Sequence, residues 1–238
     1  KEGRFFVEIT ANAGLYDVLW RGIVTPDTLT NETDQAPIYQ VSVTATCGLA
    51  LLKTVPYHNA GTLYSGPEKL VSHLTKALTK LAHTSTFWDA SADFIETSLD
   101  WWAVGMTRGG ANDPLDIARV DHAAFYDYFT KGSVDDDVIS CYDVIRHICQ
   151  SFGCRILMRG GMWVAEQIDY RANSTYEYRR YTKTATATTN GSHTGVTTLN
   201  QVITTGVKIS YIQYDYIPQL TKARVVYESR LRRNFWGN

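Results

Sequence analysis

The stretch from Ser140 to Ile168, SCYDVIRHICQSFGCRILMRGGMWVAEQI, constrains the fold more than any other part of the chain. It specifies a helix, a strand, a turn and a second strand in immediate succession. Ser140 followed by Asp143 reads as a helix start, because the hydroxyl can accept from an orphan backbone N–H and the carboxylate suits the positive helix end. Val144, Ile145, Ile148, Cys149 and Phe152 recur at three- and four-residue intervals and form one apolar stripe, which must face a core. Gly153 can supply the left-handed residue that ends the helix. Beyond it, Ile156 to Met158 and Met162 to Ile168 flank Arg159-Gly160-Gly161, where adjacent glycines allow the positive φ of a tight hairpin. The helix is expected to pack on that hairpin.

The rest of the chain is read around this unit. Phe5 to Ile9, Asp17 to Val24 and Tyr39 to Thr46 are rich in β-branched and aromatic residues between turn clusters, so residues 1–65 form a β-rich part. A short helix at Leu49 to Leu52 closes it. Gly66-Pro67-Glu68 places proline at a first helical position, and Leu70, Leu74, Ala77, Leu78 and Leu81 supply a buried stripe. The opposite face, Lys69, His73, Lys76 and Lys80, reads as solvated. Residues 66–138 are therefore a helix followed by a long irregular connection, within which Phe94 to Val104 fits a strand pair or a loop equally well. Residues 139–170 complete an α+β core. Residues 171–238 are a β-rich segment with an exposed Thr-rich loop or hairpin tip at 182–205. The fold class is α+β: antiparallel β-rich sheets or a barrel-like domain, with two main amphipathic helices, about 67–82 and 141–152, packed on them. The chain opens Lys-Glu-Gly-Arg and enters a strand almost at once, which reads as a fragment of a larger protein.

Composition narrows the functions. The net charge is −1, so no global positive field holds a phosphate backbone, and specific nucleic-acid binding is not expected. No run approaches the roughly 18 apolar residues of a membrane span. Cys141, His147, Cys149 and Cys154 offer zinc-compatible atoms but not in the paired spacing of a zinc site, so no metal is expected. The four cysteines, Cys47 included, read as reduced, packed thiols with unpromising pairing geometry. Asp135-Asp136-Asp137 lacks the alternating ligands of a calcium loop. Phosphate-loop, dinucleotide, nucleophile-elbow and zincin signatures are absent, so no catalytic residue and no cofactor is assigned. Trp88, Trp101 and Trp102 are the candidate binding residues, since flat rings can stack on a sugar. Core packing or a subunit interface is the favoured account of them, since tryptophans also anchor interfaces.

The order of these pieces resembles the tail hub or tail-tip proteins of bacteriophages, particularly the large tail proteins of phages and prophages of Bacteroides-like bacteria. Phe5-Phe6-Val7-Glu8-Ile9, followed by Leu19-Trp20-Arg21-Gly22-Ile23-Val24-Thr25-Pro26-Asp27, is similar to a strand pair leading to a Trp-x-Gly-x-Val turn. Pro37 to Lys53 resembles an alternating strand running into Asp-Gly-Leu-x-x-Leu-Lys, with Cys47 in place of the aspartate. Asp113-Pro114-Leu115 and the Ser140 to Ile168 unit complete a likeness that covers most of residues 4–170. The resemblance implies a structural, non-catalytic virion protein, made in the bacterial host cytoplasm and assembled as a homotrimeric ring at the end of the tail tube. The resemblance also implies a relation to baseplate hubs and type VI secretion spikes, and its partners would be tail-tube, tape-measure and tip or fibre proteins. A carbohydrate-binding module is the alternative, and a tail-associated cell-wall hydrolase has less support.

Overall fold

The computed structural model of the chain describes residues 5–11, 17–25, 44–100, 113–127, 138–171 and 173–194. In chain order the elements are β1 (Phe6–Ala11), β2 (Asp17–Val24), β3 (Ala45–Thr46), a 3-10 helix (Leu49–Thr54), β4 (Pro67–Lys69), α1 (Leu70–Leu78), α2 (Thr84–Phe87) and β5 (Ile95–Ser98). They continue with α3 (Pro114–Ile117), β6 (Arg119–Asp121), a second 3-10 helix (His122–Phe125), α4 (Cys141–Ser151), β7 (Arg155–Arg159), β8 (Met162–Glu166), α5 (Ile168–Arg171), β9 (Thr175–Tyr181) and β10 (Ala187–Thr194). The fold is α+β.

The Ser140 to Ile168 unit forms as its residues dictate. Ser140 caps α4, its Oγ accepting from the Asp143 N–H at 3.1 Å while its hydroxyl donates to the Asp143 carboxylate at 2.7 Å. Val144, Ile145, Ile148 and Cys149 are buried. Gly153 takes φ +58° just past the helix, and Gly160 and Gly161 take +56° and +69° in the turn between β7 and β8. These strands pair antiparallel with Ile156 opposite Ala165 and Met158 opposite Trp163.

A five-stranded sheet in the order β10-β9-β5-β8-β7 carries the core. β5, within the stretch that sequence left undecided, is its central strand, parallel to β8 and antiparallel to β9, so the sheet is mixed. All four β5 residues are buried because a central strand is covered on both faces. Ile95, Trp163, Ala165, Met158 and Tyr181 join α1 and α4 in one cluster with Leu52, Leu74, Leu78, Trp88 and Phe94. The alternate residues, Glu96 and Glu166 among them, project from the opposite face.

Three expectations change. Pro67 does not start a helix: Pro67–Lys69 is β4, paired with Arg119–Asp121, and α1 runs only from Leu70 to Leu78. Proline is tolerated here because a short strand with one partner needs no N–H on its free side. Residues 113–127, expected as irregular connection, hold α3, β6 and a 3-10 helix packed over α1, with Pro114, Leu115, His122 and Phe125 buried. Part of the Thr-rich loop is an ordered strand, since Ala187–Thr194 pairs along β9 while remaining largely exposed. The expected strand at Tyr39 is described only from residue 44, where Ala45 and Thr46 pair with Val24 and Ile23. Asp135 to Asp137 and everything beyond 194 lie outside the described residues. Among the described residues, no helix is long and apolar enough to cross a membrane.

Candidate functional site

The Trp-x-Gly-x-Val pattern acquires a geometric meaning in the β1–β2 ribbon. In its antiparallel register Phe6 faces Ile23, Val7 faces Gly22, Glu8 faces Arg21 and Ile9 faces Trp20. Cross-strand partners share a face, so Phe6, Glu8, Arg21 and Ile23 form one side and Val7, Ile9, Trp20 and Gly22 the other. The first side meets the body of the protein. Phe6 lies 6.2 Å from His83 and 6.1 Å from Phe87, ring to ring. Arg21 donates to Glu8 at 2.7 Å and to the Gly161 carbonyl at 2.9 Å, with its guanidinium 4.8 Å from the Trp88 ring.

The second side is apolar and is turned outward in part, while Trp20 packs half-buried against the core cluster and Gly22 is buried. Phe5 is 66% exposed and Ile9 50%. Leu19, opposite the register irregularity between Ile9 and Thr10, is 51% exposed. Trp20 lies over Gly22 so closely that a Cβ there would come 2.1 Å from the indole Cη2 and 2.4 Å from the Thr46 carbonyl oxygen. Glycine at 22 is what lets the indole lie flat on the ribbon. Large aliphatic and aromatic side chains gathered on one exposed ribbon face are the usual mark of a surface that another molecule covers.

A second constellation joins Tyr57, Tyr64, Glu68, His73, Lys76 and His122. His73 was expected on the wet side of its helix; it is instead wholly buried, because β6 and the following 3-10 helix cover that side. Its Nε2 lies 3.0 Å from the Val120 carbonyl, which can only accept, so Nε2 carries the proton and Nδ1 accepts from the Tyr57 hydroxyl at 2.8 Å. Burial pushes the His73 pKa down to about 4. The His122 ring centroid is 4.4 Å from that of His73, and its Nε2 lies 3.4 Å from both Glu68 and Lys76. Glu68 and Lys76 pair at 2.5 Å. Burial disfavours the Glu68 charge, but the Lys76 hydrogen bond and charge outweigh it and hold the carboxyl below its ordinary range. With both His73 nitrogens committed, the network fastens α1 to β4 and β6.

The third polar group covers the sheet face opposite the helices. Glu166 accepts from Arg155 and Arg159, each at 2.7 Å, and from Arg171 at 3.0 Å. Glu96 accepts from Arg180 at 2.9 Å and lies 3.1 Å from His193 Nε2. Arg159 stands between the two carboxylates, 3.7 Å from Glu96. Burial opposes the Glu166 charge, yet the Arg155 hydrogen bond and the charges of Arg159 and Arg171 prevail and lower its pKa. A glycosidase-type general acid must keep its proton near neutrality, whereas this carboxylate is held ionised.

The sequence candidates fare unequally. Trp88 is 1% exposed, edge-on to Phe94 at 5.3 Å, with its ring inside the core; that corrects its place in a sugar-binding face. Trp101 and Trp102 lie outside the described residues. Among the described residues no three His, Cys, Asp or Glu side chains are grouped to hold a metal. Cys149 and Cys154, whose pairing geometry reads as unpromising from sequence, are joined by a backbone hydrogen bond from the Cys154 N–H to the Cys149 carbonyl at 2.9 Å, and both cysteines are free. Sequence reading identified the ribbon strands but not their outward face, although the alternation Phe5, Val7, Ile9 carried that signal. No protein-family model, curated protein or solved structure matches the chain.

Proposed function

We propose that the chain is a structural, assembly-forming part of a phage tail, at the hub or tip, and that a second copy of the same chain covers the outer face of its β1–β2 ribbon in a trimeric ring. The phage assignment is supported by the ordered sequence resemblance over residues 4–170. The assembly role is supported by one observation above all: Phe5, Ile9 and Leu19 stand exposed on a ribbon whose other face is anchored to the body through Arg21. The ionised, arginine-bound state of Glu166 and the doubly bonded His73 ring are at home in a scaffold.

Light scattering on the whole protein tests the reading. A trimer that becomes monomeric on Ile9→Glu, with an unchanged circular dichroism spectrum, is the expected outcome; a strictly monomeric wild type sinks it. Calorimetric binding of host polysaccharide abolished by Trp101→Ala or Trp102→Ala, or clearing of peptidoglycan in a zymogram, would replace it with the sugar-binding or hydrolase reading.

A further inference from the structure

α4 ends in a Schellman motif whose contacting pair is two cysteines. Gly153 is the left-handed residue, with φ +58°. Its N–H donates to the Gln150 carbonyl at 3.3 Å, and the Cys154 N–H donates to the Cys149 carbonyl at 2.9 Å. That last bond joins the third residue before the cap to the second residue after it, and in this motif the side chains at those two positions meet. Here both are cysteines, Cys149 within the core cluster and Cys154 packed against it. A backbone bond of this length brings the two residues close together, as a disulfide with its Cα separation of about 4.4–6.8 Å requires. Both sulfurs are free in this structure.

We propose that Cys149 and Cys154 are a reversible dithiol–disulfide site that takes small-molecule disulfides as oxidant and clamps the end of α4 to the start of β7. The neighbouring Cys154 side chain lowers the Cys149 pKa against the opposing effect of burial, and the Cys149 side chain raises that of Cys154. The Cys149 thiolate attacks one sulfur of the small disulfide, forming a mixed disulfide and releasing one small thiolate. Cys154 then gives up its proton and attacks Cys149 Sγ, and the second small thiolate leaves. Two protein thiols are oxidised to one disulfide while one small disulfide is reduced to two thiols. Cys141 takes no part, because burial pushes its thiol up to about 12. A protein made in a reducing compartment and later carried into an oxidising one would pass through this change.

Trypsin places both cysteines in the single peptide His147–Arg155, between the cleavage points after Arg146 and Arg155. The native protein is incubated with oxidised glutathione, alkylated and digested. The expected peptide is two hydrogens lighter, resists alkylation and is restored by dithiothreitol. Its ratio of closed to glutathionylated form should exceed that of the urea-unfolded chain by about 10-fold or more, because the fold presents the sulfurs to each other. Cys154→Ser should leave a stable glutathione adduct on Cys149. A native wild-type protein whose peptide keeps two alkylatable thiols, or stalls as a glutathione adduct, overturns the proposal.

Discussion

His83 lies among Phe6, Phe87, Trp88 and Trp163, buried, with neither ring nitrogen hydrogen-bonded. Burial, and then the nearby Arg21 charge, lower its pKa to about 4. An unpaired buried polar group costs about 1–3 kcal/mol, so His83→Phe should raise stability at pH 7 by about 1 kcal/mol, read from urea melts. His83 and His73 both have folded pKa values near 4 against 6.5 for the free side chain. Their folded forms bind fewer protons than the unfolded chain. The stability they allow is therefore complete above pH 6.5 and is lost as the pH falls toward 4, by up to about 3 kcal/mol each. Melts between pH 7 and 4 should show that loss, and His83→Phe should shrink it; a flat profile would contradict both assignments. Gly22→Ala forces Trp20 off the ribbon or moves the Thr46 backbone, and should cost about 1–3 kcal/mol. At this scale the Trp20-x-Gly22-x-Val24 spacing was legible, because it is local. The burial of His73 was not, since the residues that cover it lie some fifty positions away.

Elements divide along the same line. α4 was readable from its cap, stripe and terminal glycine, all within its own length. Ser140→Ala should lower stability by about 1 kcal/mol, measured by chemical denaturation. β5 was unreadable because four residues are too few to show a period, and its identity comes from pairing with β8 and β9. Pro67 imitated a helix start because its preference is local, while pairing with β6 decided the outcome. The arginine–glutamate lattice is likewise assembled from β5, β7, β8, β9 and α5 and has no linear signature. Glu166→Gln removes the charge to which three arginines donate. It should cost about 2 kcal/mol, less than the roughly 3–5 kcal/mol of a fully buried pair because those arginines are partly solvated.

For the molecule as a whole, the decisive contact is Arg21, which bonds Gly161 across 140 positions and rests on Trp88. Arg21→Met should speed amide exchange in β1 and β2 by about 10-fold or more while α4, β7 and β8 keep their protection, since a charge-assisted bond contributes about 1.5–3 kcal/mol. Uniformly faster exchange would mean that the ribbon is not a separately anchored unit. Sequence by itself determined the α+β class, the α4 hairpin unit and the two ribbon strands, because caps, turns and apolar periods act within a few residues. Only the tertiary structure decided which face of the ribbon is left outside, that Trp88 and His73 lie inside, that Glu96 and Glu166 share an arginine, and that two cysteines meet at a helix end. Burial and ion pairing depend on segments far apart in the chain, and no local pattern encodes what will cover them.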